Sequence, residues 1–383
     1  MRPLATAPHP RPFRARCAIA ALALALGVGP ARAFDWQVDV TPVGELFPAL
    51  QLSQSPRTRT EGFGDGDGLV SVRVYGDDLP RRLRLRIDTP GLRRPAVLEA
   101  NVDPGAHRVD LHPRLDWDTT WLRALDRTRA QALRVSLEAG GVTWTRRTDV
   151  RVHALDDAPY YVREGRDRVD LGWAFAGYVD PHDAVVDEIL ADARASDAAF
   201  DRGSDLQRVG AVWAALERRG LRYDAGDPAL SRGPVVWSQR VRLPAAVWRD
   251  RRANCIDSSV LIAAVLERLG MRALIVLVPG HAFVGYRSGD RAEYFETTLL
   301  GAALGGRAGA ATHFAAARVA GRAHWRRVAA RLDGRHGPDY ALIDIGTARA
   351  YGIIPLGAGE RASRHPSEAA PAPAGSSRQR GLP

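Results

Sequence analysis

Residues 253–271 read ANCIDSSVLIAAVLERLGM, residues 272–286 read RALIVLVPGHAFVGY, and residues 292–301 read AEYFETTLLG. In the first run Ile262, Val265, Leu266 and Leu269 recur on one helical face. Gly270 supplies the stop, and Asn254 stands where a side-chain cap belongs. Cys255 therefore falls in the first turn, where free amides and the helix dipole favour a thiolate. Its own amide is also a donor for an oxyanion. The second run predicts a buried strand over Ala273–Val278, a Pro279-Gly280 turn and a strand over His281–Tyr286. The third predicts a strand ending at Phe295-Glu296-Thr297-Thr298.

A thiol, an imidazole and a carboxylate in this order are the parts of cysteine-nucleophile catalysis. His281 can take the thiol proton and return it to a leaving amine. Glu296, if its strand lies beside that of His281, can hold the ring nitrogen that faces away from sulfur. Each residue also has a plainer reading. A lone cysteine on an apolar helix is a small core residue, and a histidine or glutamate at a strand end belongs equally to a surface turn. Asp257 and Asp344 are alternative carboxylates. Asp257 points away from Cys255 and suits the helix dipole, while an ion pair with Arg349 would account for Asp344.

Composition narrows the function classes. The 383-residue chain is long enough for two domains, and its 45% apolar content is ordinary for a globular protein. It contains no lysine, which excludes Schiff-base and Ser-Lys chemistry. The net charge of +10 is therefore all arginine. Many of these alternate with apolar residues, as Arg82, Arg84 and Arg86 do with Leu83, Leu85 and Ile87, which describes a solvated strand face. No nucleic-acid partner is expected. Arg11, Arg14 and Arg16, the apolar run Cys17–Val28 and the Ala31-Arg32-Ala33 site describe a cleavable secretory signal, 1–33. A periplasmic or secreted protein is expected, with no stable membrane insertion after cleavage. The alternative is an uncleaved N-terminal anchor. Cleavage removes Cys17 and leaves Cys255 as the only thiol.

The fold class expected is α+β, with an N-terminal all-β sandwich over 34–157 and an α+β cysteine domain over 158–356. Short alternating runs (Val70, Val72, Val74; Leu133, Val135, Leu137) separated by turn signals carry the sandwich. Asp157–Asp180 reads as an aromatic-rich connector, and 357–383 as a disordered tail. Neither Glu61, Asp65 and Asp67 nor His182 with Asp183, Asp187 and Glu188 makes a convincing ion site. No cofactor and no metal is expected.

The second domain resembles the transglutaminase-like superfamily, which has the papain-like cysteine-enzyme fold. The similarity rests on Asn254-Cys255-Ile256-Asp257 with Leu261 and Gly270, on Pro279-Gly280-His281-Ala282-Phe283, on Ile343-Asp344-Ile345, and on Gln239 through Leu243-Pro244. It covers roughly Trp173 to Leu356. Glu296-Thr297-Thr298 stands where that family usually has Asp-x-Thr, and the interval from Cys255 to His281 is short. The resemblance implies an acyl-enzyme on Cys255, ending in hydrolysis or acyl transfer, with a peptide, protein or cell-envelope amide as substrate. It also implies an oxyanion donor upstream of the nucleophile, for which Gln239 and Trp237 are the candidates. The alternative is a scaffold or binding module that keeps the fold without the chemistry.

Overall fold

Alternation of apolar residues with arginines builds the first half of the molecule. Leu83, Leu85 and Ile87 are fully buried, while Arg82, Arg84 and Arg86 face solvent. Arg84 lies 3.6 Å from Glu99 and 3.8 Å from Glu138 on the neighbouring strands. Such exposed pairs are worth about 0.2–1 kcal/mol, so the buried leucines hold the sheet and the arginines solubilise it. The computed structural model describes residues 34–55, 63–64, 68–225, 230–232, 235–302, 309–358 and 361. The expected signal segment 1–33, the residues Glu61, Asp65 and Asp67, residues 303–308 of the loop after Gly301, and the expected tail from 362 onward lie outside the described residues.

Two sheets form the N-terminal part. One carries Phe34–Val40, Val70–Gly76, Arg108–His112 and Phe63–Gly64 in that order. The other carries Glu45–Leu46, Val142–Val152, Arg129–Ala139, Arg82–Asp88 and Ala96–Asn101. Their inward residues share one apolar cluster, and Phe34 of the first sheet meets Trp144 of the second edge-to-face at 5.2 Å.

The expected connector is itself part of a sheet. Asp157–Glu164 and Asp167–Asp170 form a hairpin, and Asp157–Glu164 also pairs antiparallel with Val236–Arg240. Alternation is hard to read here because the ladder to Val236–Arg240 shifts register between Pro159 and Tyr161. The start of the expected tail is also attached, since Arg361 pairs with Asp180 at 2.7 and 2.9 Å.

The second half is a mixed helix-and-strand domain, so the chain as a whole is α+β. Its central antiparallel sheet runs in the order Arg291–Phe295, His281–Ser288, Arg272–Val278, Ala341–Asp344. The helix Cys255–Arg268 is buried from Ile256 to Leu266. Each fully buried leucine or isoleucine there contributes about 1.5–3 kcal/mol, which makes this the central helix of the domain. Ala273, Ile275, Ala282, Val284 and Phe295 of the sheet share its core. A smaller cluster, formed by Leu274, Val276, Phe283 and Tyr294 with Trp325, lies on the sheet's other face. The helix Ala310–Val328 comes in close beside the edge strand. At Gly321 any Cβ would stand 2.4 Å from the Tyr294 carbonyl oxygen, so only glycine permits this approach.

Candidate active site

Cys255 is placed by its helix cap. Asn254 is extended, and its Oδ1 accepts the amides of Ile256 at 3.1 Å and Asp257 at 2.9 Å. Asp257 in turn accepts the Asn254 amide at 3.1 Å, completing a capping box. The Ser258 amide goes to the Asn254 carbonyl. Among the described residues the Cys255 amide alone in this turn donates to no acceptor. It is left at the helix N-terminus, where an oxyanion can use it. The Cys255 carbonyl accepts from Ser259 Oγ at 2.6 Å and from Thr297 Oγ1 at 3.4 Å. The second of these bonds ties the glutamate's own segment to the nucleophile's turn.

His281 starts its strand opposite Val278, across the Pro279-Gly280 turn. Gly280 has a φ of 71°, which glycine adopts without strain. The pairing of Val284 with Phe295 sets the register of the next strand. One residue on, Glu296 leaves the strand and caps the short turn Thr297–Leu299. His281 Nε2 lies 2.8 Å from Glu296 Oε2. The Cys255 thiol lies close enough to the ring to raise its pKa. Burial disfavours the charged ring, but the bonds to Cys255 and Glu296 outweigh it and push its pKa up to about 9.

The longer arm of Glu296 has a local explanation. Its Oε1 accepts the amide of Thr298 at 3.1 Å and the Thr298 hydroxyl at 2.8 Å, capping the short turn Thr297–Leu299. Its Oε2 remains for His281. Burial pushes the carboxyl up, but the His281 bond and charge and the Thr298 bonds more than offset this, and its pKa lies below its ordinary value.

Two residues near this centre have no signal in the sequence. His324, on the helix Ala310–Val328, brings its Nδ1 to 2.7 Å from Glu296 Oε2. The approach is not aligned as a hydrogen bond, and this buried nitrogen has no other partner among the described residues. Tyr223 sits close enough to Cys255 and Glu296 that their charges, after burial, push its hydroxyl up. Its backbone pairs with Ala253, just before the cap. A cleft of about 500 Å³ opens on Tyr223, lined also by Arg222, Asp224, Arg251 and Arg252. Another, of about 450 Å³, lies at the far end of the nucleophile helix around Gly270 and Arg272.

The two alternative carboxylates are each committed to an arginine. Asp257 is fully buried and fully used, since its oxygens accept the Arg242 amide and Nε, each at 2.8 Å, besides the cap bond. It anchors the approach strand to the helix and has no bond to His281. Asp344 accepts from Arg272 Nε at 2.6 Å and caps the helix Ile345–Ala350 through the Thr347 amide. Its ion-pair partner is Arg272 and not Arg349, which instead holds Glu267 and the carbonyls of Ala176, Val179 and Ile353. Trp237 stacks on Tyr161 at 4.9 Å, and Gln239 lies two residues on in the same strand.

No protein-family model matches this chain, and no curated protein is significantly similar to it.

Proposed function

We propose that this protein is an exported cysteine-nucleophile enzyme of the transglutaminase-like kind, a papain-like amide hydrolase or acyltransferase acting on a peptide, protein or cell-envelope amide. One observation carries the reading: a single imidazole lies between the Cys255 thiol and a clamped carboxylate, Glu296. With its pKa raised to about 9, His281 holds the thiol proton at neutral pH, and the Cys255 thiolate attacks the carbonyl carbon. Glu296 holds the Nε2 proton and balances the charge of the imidazolium. The tetrahedral oxygen takes the free Cys255 amide. The imidazolium then protonates the leaving amine as the carbon–nitrogen bond breaks, leaving an acyl group on sulfur. Water or a second amine, deprotonated by His281, releases the product.

The test is reactivity at the sulfur. Iodoacetamide at neutral pH is expected to label Cys255 faster than free cysteine, and a p-nitrophenyl ester to leave a mass-detectable acyl adduct on it. His281→Ala is expected to slow both by about 10²–10⁴-fold, the usual worth of a positioned base. A thiol no faster than free cysteine, and indifferent to His281→Ala, would leave a scaffold that keeps the architecture without the chemistry.

A further inference from the structure

The triad has an extra member that acyl transfer does not require. His281 comes from a strand, Glu296 from the end of the next strand, and His324 from the helix that leans against it. One donor atom from each lies within 4.8 Å of the other two. Glu296 is 3% exposed, and Thr298 fixes its Oε1, so Oε2 is held in place. That oxygen lies 2.8 Å from His281 Nε2 and 2.7 Å from His324 Nδ1. The His324 nitrogen is buried and poorly aligned to donate, an arrangement that a proton satisfies badly. A cation placed among the three atoms satisfies it well.

We propose that His281 Nε2, Glu296 Oε2 and His324 Nδ1 form a binding site for a divalent transition metal, with Zn²⁺ as the ion best suited to it. Two imidazoles and one carboxylate make a ligand set zinc favours, with bonds of about 2.0–2.2 Å and a fourth position left for water. Donor atoms now 2.7–2.8 Å apart need only spread to the separation of tetrahedral ligands. Hard cations such as Mg²⁺ prefer all-oxygen surroundings and are not expected here. Cys255 is not among the three grouped ligands.

The site stands on geometry alone, but its consequence rests on the acyl-transfer reading. Zinc takes the Nε2 lone pair, and the proton formerly shared with Glu296 moves to Nδ1. With metal on Nε2 and a proton on Nδ1, the ring has no lone pair left for the thiol proton. Zinc occupancy and catalysis therefore exclude one another, and the bound metal is an off-state of the enzyme.

The experiment is a calorimetric titration of ZnCl₂ into the full chain after chelator treatment, with MgCl₂ as control. One zinc per chain is expected. His324→Ala is expected to weaken binding at least about 100-fold, beyond the 10–100-fold cost of losing a partner that merely supports a ligand. His324→Gln, which keeps the shape, is run in parallel with thermal melts of each variant. Cys255→Ala is expected to bind within about threefold of the parent chain. No stoichiometric zinc uptake, equal binding by folded His324 variants, or loss of binding in Cys255→Ala overturns the site. A second arm measures iodoacetamide labelling of Cys255 with and without zinc. Slowing in the parent chain but not in His324→Ala supports the off-state. Zinc binding that depends on His324 yet leaves labelling unchanged overturns the off-state while the site stands.

Discussion

Two histidines in this molecule, His153 and His281, are each held by carboxylates, and both have their pKa raised despite burial. His153 lies at the end of the sandwich, 4% exposed and stacked on Phe47 at 3.6 Å. Its Nδ1 is 2.5 Å from Asp157 Oδ2 and its Nε2 is 2.6 Å from Glu45 Oε2. Both nitrogens are committed to anions on opposite edges of the ring, so nothing is left for a reactant. His281 gives Nε2 to a carboxylate and lies near the Cys255 thiol, and its side chain keeps 22% of its exposure. The difference lies in the second partner. Two carboxylates make His153 a structural bolt between the sandwich and the first strand of the following sheet. A carboxylate and a thiol make His281 a candidate base.

That contrast can be broken at several points, the first with the largest effect. Cys255→Ala is expected to abolish acyl-adduct formation altogether, with little change in a urea unfolding curve, because the side chain is small and half-exposed. His153→Ala is expected to do the reverse. It takes the imidazole from the partly buried carboxylates of Glu45 and Asp157, at a cost of about 1–3 kcal/mol in unfolding free energy, while the labelling rate of Cys255 stays at the parent value. If His153→Ala instead slowed labelling as much as His281→Ala, the division between bolt and base would fail.

A finer test is Glu296→Asp. The shorter arm cannot both cap Thr298 and reach Nε2, so a displacement of about 1 Å is forced on the pair. A loss of about 10²-fold in the acylation rate is expected, with the fold intact by circular dichroism. The smallest effect is a pH dependence of stability. The folded ring of His153 binds its proton more tightly than the unfolded one, so its contribution is complete below about pH 6.5. It is lost as pH rises through the elevated folded value. Unfolding free energy measured from pH 6.5 upward should therefore decline in the parent chain, and the decline should be smaller in His153→Phe, which has no proton to lose there. Equal slopes in the two chains would remove His153 as the cause.

The parts of the site are unequally legible. Cys255 can be placed at a helix start because a cap residue, an apolar period and a glycine stop all lie within the same short stretch. His281 follows from a Pro-Gly turn between two apolar runs. The choice among Glu296, Asp257 and Asp344 cannot be made locally. All three are carboxylates at element ends, and only Arg242 and Arg272, brought in from elsewhere in the chain, show which two are occupied. The strands over 157–170 hide behind a connector's composition because Pro159 breaks the alternation that marks a strand. Gln239 and Trp237 carry donor side chains, and the structure adds the unbonded amide of Cys255.

By itself, then, the sequence determined an α+β chain with a sandwich first, a buried helix led by Cys255, and a histidine and a glutamate on successive strands. These follow from periodicity and capping, which act over a few residues. Tertiary structure alone decided that Glu296 reaches His281, that Asp257 and Asp344 serve as anchors, and that His324 and Tyr223 belong at the centre. Those facts depend on strand register and on how closely the helix carrying Gly321 approaches the edge strand. Both are set by packing between segments far apart in the chain, on which local patterns place no constraint.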